Sequence, residues 1–237
     1  MARNLNVIAG VLFGTMAICA VFQPDATIAN PIEQVKIQAT GNIKPVEAID
    51  RYQQGLTALA AGDLTQAMNN FNRAIELDPQ YFQAYIERGN VKEAVNDLPG
   101  AIADYTTAIS LNPKSASAYY NRGTISSKSG QHPAAIADYT KAIEIDPQYA
   151  QAYLNRGNEL DDLGDSTGAL DSYDRAIKIR PNYALAYLNR GIAHERAGHR
   201  TKAVADLQQA AKLFKATGNL DRYNRTLELM KSLRSEV

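Results

Sequence analysis

The sequence predicts an all-α protein in which antiparallel helix pairs stack into a solenoid. One observation is the fixed spacing of 34 residues between successive prolines at Pro79, Pro113, Pro147 and Pro181. A second is that small residues recur in register with these prolines. A period of this length is the signature of stacked supersecondary units. A third is the hydrophobic share of 45%, which is sufficient for a packed core.

The first 29 residues predict export. Arg3 precedes an apolar run from about Val7 to Phe22, and small residues precede a cleavage point after Ala29. This is the outline of a secretory signal peptide. The run also approaches the length of a spanning helix, so residues 5–22 could instead attach the chain to a membrane as an uncleaved signal anchor.

Either N-terminal reading places the repeats outside the cytoplasm, because the basic residue lies at the N-terminal end. The expected location is extracytoplasmic (secreted, periplasmic or thylakoid lumen) or membrane-anchored with the repeats outside the cytoplasm. Residues 30–47 contain two prolines and a glycine and show no helical period, so we expect a linker there.

Counting each proline as position 32 divides the chain into five units. They are 48–81, 82–115, 116–149, 150–183 and 184–217. Position 8 is always glycine, positions 20 and 27 are always alanine, and position 24 is bulky. Small residues let two helices approach closely, and bulky ones fill the gaps beside them. Position 15 is glycine in four copies and Asn96 in the other, and both types favour a left-handed helix end.

This pattern resembles the tetratricopeptide repeat (TPR) family, with a large residue at position 4, Gly at 8, Ala at 20, an aromatic at 24 and Pro at 32. The resemblance covers residues 48–217. It implies a right-handed superhelical solenoid that serves as a scaffold for protein partners. The family is used for many partners, so the resemblance names none.

The last copy predicts a capping helix. Lys215 stands where proline is expected, so the second helix extends to about Ala216. An apolar stripe then follows within residues 218–237, formed by Leu220, Tyr223, Leu227, Met230 and Leu233. A solenoid needs such a helix to cover its last interface. The alternative is a basic amphipathic helix that lies on a membrane surface.

Positions 7 and 23 predict an ion pair between the two helices of a copy. They hold Arg88 and Asp104 in the second copy, and the third and fifth copies repeat this combination. The fourth copy breaks it, because Ser172 accompanies Arg156. The alternative is a solvated face of unpaired charges.

Composition and motifs favour neither enzyme nor cofactor chemistry. The formal net charge is zero, so nothing favours nucleic acid, and the only cysteine is Cys19. His132, His194 and His199 lack the spacing of a metalloprotease, and we expect them to be structural or solvated. The acidic cluster at 161–165 lacks the spacing of a calcium loop, so no metal site is predicted.

The candidate binding site is the concave face, which in the TPR family is lined by the first helix of each repeat. We call its fifteen residues the groove face: Tyr52, Gln53, Leu56, Ile86, Glu87, Asn90, Tyr120, Asn121, Thr124, Leu154, Asn155, Asn158, Leu188, Asn189 and Ile192. Asn121, Asn155 and Asn189 form a row that could bind an extended peptide backbone, or could merely solvate the helices. Acidic residues around the groove outnumber basic ones, which favours a neutral or basic partner.

The predicted function is that of an exported protein–protein interaction scaffold that binds a peptide or protein segment in the concave groove. The alternative is a membrane-associated assembly factor for a membrane protein complex, such as a photosynthetic one. Neither prediction includes an enzyme activity, a cofactor or a nucleic-acid partner.

Overall fold

Helices follow one another without a strand in residues 44–235, the part of the chain that the computed structural model describes. They are α1 (Lys44–Ala60), α2 (Leu64–Leu77), α3 (Phe82–Ala94), α4 (Leu98–Leu111), α5 (Ala116–Lys128), α6 (His132–Ile145), α7 (Ala150–Asp162), α8 (Ser166–Ile179), α9 (Ala184–Arg196), α10 (Arg200–Ala216) and α11 (Leu220–Ser235). The predicted signal segment 1–29 and residues 30–43 of the predicted linker lie outside the described residues. Residues 44–47, also expected to be linker, belong to α1.

Tight turns join the two helices of each repeat. The residue at position 15 adopts a positive φ in all five copies, and the single non-glycine among them is Asn96, with a φ of 65°. Three of the second helices begin at an aspartate that caps them, as Asp63 does by accepting a hydrogen bond from the backbone N–H of Gln66. Each such cap satisfies one of the donors that a helix leaves free at its start.

The core of each helix pair is an interlock between small and large residues. The alanines at positions 20 and 27 are fully buried, and the side chain at position 24, an aromatic ring in the first four copies and Leu207 in the fifth, is no more than 1% exposed. The glycine at position 8 lies directly against that ring. A Cβ built on Gly89 would lie only 2.6 Å from Cε1 of Tyr105. The all-α solenoid of paired helices predicted from the period is therefore confirmed.

The C-terminal helix packs onto the last repeat, as predicted for a cap. Met230 and Leu233 of α11 join a buried cluster with Leu207 of α10. The predicted apolar stripe needs one correction, because Leu220 is 59% exposed. Leu220, the first residue of α11, therefore lies outside the packed face, and the fully buried Thr226 lies on that face further along. Its hydroxyl donates to the backbone carbonyl of Arg222, which satisfies the buried group.

Within residues 44–235, none of the helices combines the length and the apolar character that crossing a membrane requires.

Candidate functional site

The groove face lies on the first helix of each repeat, α1, α3, α5, α7 and α9, as the period predicts. Its apolar and aromatic residues at repeat position 5 do not form one open strip; they are Tyr52, Ile86, Tyr120, Leu154 and Leu188. Ile86 and Leu154 are only 7% and 4% exposed, because each packs in a core cluster with alanines of the next repeat. Leu188 packs against the cluster that includes α11. These three side chains therefore contribute mainly to contacts between neighbouring units.

The asparagines of the groove face form hydrogen bonds between neighbouring repeats. The Nδ2 of Asn121 donates to Oδ1 of Asn90 at 2.9 Å, and that of Asn189 donates to Oδ1 of Asn158 at 2.7 Å. Asn155 donates to the hydroxyl of Tyr120 instead, at 3.2 Å. Each amide thus uses one donor to fix its own orientation, which presents a preorganised polar row rather than a row of freely rotating amides.

Buried tyrosines donate hydrogen bonds to two of these amides, those of Asn90 and Asn158. The hydroxyl of Tyr105 donates to Oδ1 of Asn90 at 2.8 Å, and that of Tyr173 donates to Asn158 at 3.0 Å. Burial raises the pKa of both phenols, so they remain protonated donors at neutral pH. The same rings that pack against the position 8 glycines therefore also position the polar row.

Aromatic residues that sequence reasoning missed extend the groove face. The ring of Tyr81 lies 5.0 Å from that of Tyr52, and the ring of Tyr149 lies 4.8 Å from that of Tyr120. Burial, with a smaller effect from the carboxylate of Glu87, raises the pKa of Tyr52 to about 12. The available signal was the recurrence of tyrosine at position 34, immediately before the first helix of the next repeat.

A cavity of about 300 Å³ opens between α7 and α9. Three residues of the groove face line it: Asn158, Asn189 and Ile192. Asp161, Asp162, Tyr173 and Arg196 complete the lining. Arg196 is paired with Asp161, whereas Asp162 is an exposed carboxylate at the end of α7. The cavity thus combines fixed amides, an apolar side chain and a negative charge.

The two basic residues beside the groove, Lys128 and Arg196, both form ion pairs. Lys128 contacts Glu93 at 2.5 Å, and Arg196 contacts Asp161. Each of these pairs spans two neighbouring repeats. Glu87 and Asp162 are further acidic residues along the groove, while Lys128 and Arg196 are already paired with carboxylates. The net charge along the groove face is therefore negative.

The predicted ion pairs between positions 7 and 23 are confirmed. Two nitrogens of Arg88 bind the two oxygens of Asp104, at 2.9 and 2.6 Å. The third and fifth copies repeat this two-point contact. In the fourth copy Arg156 donates to the hydroxyl of Ser172 at 3.2 Å. The hydrogen bond to the aspartate raises the pKa of the arginine in each of the three charged pairs.

The same arginines also tie each repeat to the one before it, which the sequence analysis did not predict. A remaining nitrogen of Arg88 donates to Asn72 of the first repeat at 2.9 Å, and Arg190 contacts Asp174 of the fourth at 2.5 Å. The guanidinium of Arg88 also lies over the ring of Tyr85, 5.4 Å from its centroid. The arginine at position 7 thus connects the two helices of its own repeat and also contacts the preceding repeat.

The histidines have the structural partners expected of them. His194 faces His199 with 3.3 Å between their Nδ1 atoms, and burial lowers the pKa of His194. His132 contacts Glu159 at 2.7 Å, and the hydroxyl of Ser127 donates to the other oxygen of that carboxylate at 2.6 Å. Here the carboxylate lies between the hydroxyl and the imidazole. In a site with a serine nucleophile the imidazole contacts the hydroxyl directly, so Ser127, Glu159 and His132 do not have the arrangement of such a site.

Family models match most of this repeated region. A model described as TPR repeat matches residues 55–96, 94–126 and 157–198, and models described as tetratricopeptide repeat match 116–149 and 138–171. Together they span 55–198, which is 144 of the 237 residues. A search of the curated proteins found no match.

Solved structures share the fold. The crystal structure of MamA is 26% identical with a TM-score of 0.64, covering 70% of this chain and 96% of that one. YrrB, described as a TPR protein with an unusual peptide-binding site, is 22% identical with a TM-score of 0.62, covering 78% and 92%. PilW, described as a widely conserved type IV pilus biogenesis factor, is 20% identical with a TM-score of 0.62, also covering 78% and 92%. The repeats, their packing and these matches agree, and the chain belongs to the tetratricopeptide repeat family.

Proposed function

We propose that the protein is a scaffold without chemistry of its own, and that its groove face binds an extended, neutral or basic segment of a partner protein. TPR proteins are generally scaffolds of this kind, which supports the first part. The observation that carries the second is the cavity between α7 and α9, where Asn158 and Asn189 are already held by a hydrogen bond. Because the amides are fixed before binding, a guest would meet little ordering cost on the protein side.

The charge balance supports the choice of partner. The cations beside the groove are already paired with acidic residues, while Asp162 lines the cavity. A guest lysine or arginine would meet this carboxylate, whereas an acidic guest would be repelled. Tyr52 and Tyr120, each stacked on a second tyrosine, offer ring faces for apolar or cationic side chains elsewhere along the groove.

Alanine at Asn121, Asn155 and Asn189 together is expected to weaken partner binding at least about tenfold, because each lost hydrogen bond contributes about 0.5–1.5 kcal/mol. The partner is first captured by crosslinking in the native compartment, and its affinity is then measured by calorimetry. A matched triple variant replaces exposed residues of α10, namely Thr201, Gln208 and Lys212. It should bind normally. Equal binding by both triple variants would move the site away from the groove face.

The asparagine variant should also melt at a somewhat lower temperature, since its amides bond neighbouring repeats. Affinity is therefore compared well below the melting transition of both variants.

We also propose that the repeats act outside the cytoplasm, either free or held at a membrane by residues 5–22. The support is the apolar run behind Arg3 and the small residues before position 30. The anchored form suits the alternative role, an assembly factor for a membrane protein complex such as a photosynthetic one. N-terminal sequencing of the native protein separates the two forms. A mature chain that starts at Asn30 excludes the anchor, and an intact N-terminus in the membrane fraction excludes the released form.

A further inference from the structure

Glu159 is a carboxylate at a position where none of the other repeats carries a charge and three of the four carry an apolar side chain. It stands at position 10 of the fourth copy, where the second and third copies carry Val91 and Ile125, which are 1% and 0% exposed. Glu159 is itself only 4% exposed. Burying a carboxylate in such a place costs free energy unless the charge is compensated.

Its partner His132 replaces an apolar residue in the same way. It stands at position 17 of the third copy, where the first two copies carry leucine. In those copies the leucine shares a core cluster with the position 10 residue of the next repeat: Leu64 with Val91, and Leu98 with Ile125. At the third junction this apolar contact is replaced by His132 and Glu159, 2.7 Å apart.

The polar contacts at this junction leave the negative charge without a permanent counter-charge. Glu159 accepts hydrogen bonds from the Ser127 hydroxyl and contacts the His132 imidazole. An apolar contact of similar volume is generally at least as stabilising as a buried charged pair, and the two preceding junctions have such a contact. The departure from the repeat therefore points to a role for this cluster beyond stability.

A third donor lies beside the pair. Asp162 follows Glu159 by three residues, so both carboxylates project from the same face of α7. One ring nitrogen of His132 and one oxygen of each carboxylate lie within 4.8 Å of one another. Asp162 is exposed, so its side chain can rotate toward the other two.

We propose that His132, Glu159 and Asp162 bind a divalent transition-metal ion, with zinc as the best fit. Imidazole together with carboxylates suits zinc, whereas calcium and magnesium take oxygen donors only. Tetrahedral zinc with bonds of about 2.0–2.1 Å sets its ligand atoms about 3.3 Å apart. The His132 and Glu159 atoms need to separate by about 0.6 Å, and Asp162 needs to approach. The ion would join repeats three and four, since His132 belongs to the third copy and both carboxylates belong to the fourth.

Calorimetric titration with zinc chloride tests this site on the full-length chain in a Cys19→Ser background, without a polyhistidine tag. One ion is expected per chain, and addition of zinc should raise the melting temperature. The double variant His132→Leu, Glu159→Val restores the apolar contact of the earlier junctions, so it should fold and should lose the site. Asp162→Asn, on an exposed side chain, should weaken binding at least about tenfold.

The other histidine pair supplies the control, because His199→Ala should leave the zinc affinity unchanged. Cobalt gives a second readout, since a four-coordinate site containing His132 should produce a visible absorption band that the double variant lacks. The proposal is overturned if the wild-type chain shows no saturable binding at millimolar zinc. It is equally overturned if the double variant binds as tightly as the wild type. Asp162 belongs to both proposals, so partner affinity is compared in metal-free buffer, where the fixed amides of the groove face are tested separately from the zinc site.

Discussion

Replacing Gly157 by alanine is expected to destabilise the repeats by about 1–3 kcal/mol, although alanine is the better helix former. The added Cβ would lie 2.6 Å from Cε1 of Tyr173, closer than side chains tolerate. That ring is 1% exposed and its hydroxyl is held by Asn158, so it cannot move without losing packing and a hydrogen bond. The measurement is the urea midpoint of unfolding followed by circular dichroism.

The fifth repeat provides the matched control for this substitution. A Cβ on Gly191 would lie 3.1 Å from Cγ of Leu207 and 3.3 Å from the backbone oxygen of Ala203, so it would meet no atom as closely as a Cβ on Gly157 meets the ring. The contact cost there is small and is offset by the gain of roughly 1 kcal/mol from alanine in a helix. Gly191→Ala should therefore be close to neutral. Equal destabilisation of both variants would show that the aromatic ring is not what demands glycine.

The sequence predicted helix positions well because the repeat marks its own boundaries. The predicted units begin at residues 82, 116, 150 and 184, and α3, α5, α7 and α9 begin at these same residues. A left-handed residue at position 15 ends the first helix in every copy, and a proline at position 32 follows the second helix in the first four. The ion pairs could also be predicted, because both partners lie within one copy and occur together in three of the five copies.

Contacts between repeats were harder to predict. The bond from Asn121 to Asn90 joins residues 31 apart in different copies, and comparison of equivalent positions does not reveal which side chains meet across that junction. The burial of position 5 depends on the same contacts between repeats. Ile86 and Leu154 are apolar on a helix expected to face the groove, yet the next repeat covers them. Their burial depends on how closely the units stack, which the alanines permit.

Departures from the repeat carried information that the consensus did not. Glu159 interrupts a column otherwise occupied by Thr57, Val91, Ile125 and Ala193. A single charged residue in a largely apolar column indicates either an exposed copy or a buried polar site, and the structure shows the second. The groove face itself remains a proposal, because its residues share a helix face for structural reasons whether or not a partner binds.

The stability that Arg190 contributes at position 7 is expected to depend far more on Asp206 than on Asp174. Arg190 binds Asp206 through two nitrogens, at 2.7 and 2.6 Å, and contacts Asp174 through a third. The Asp206 side chain is 10% exposed and the Asp174 side chain 61%. Asp206→Ala should cost about 2–3 kcal/mol, because it leaves a half-buried guanidinium without its counter-charge. Asp174→Ala should cost less than about 1 kcal/mol, as exposed pairs generally do.

A double-mutant cycle decides whether the loss belongs to the pair. In an Arg190→Met background the guanidinium is absent, so Asp206→Ala should cost much less than in the wild type. Urea unfolding of the four chains gives the coupling free energy directly. A coupling near zero would mean that Asp206 acts through its own packing against the helix pair. A coupling of about 2 kcal/mol would establish position 7 as the electrostatic joint of each charged repeat.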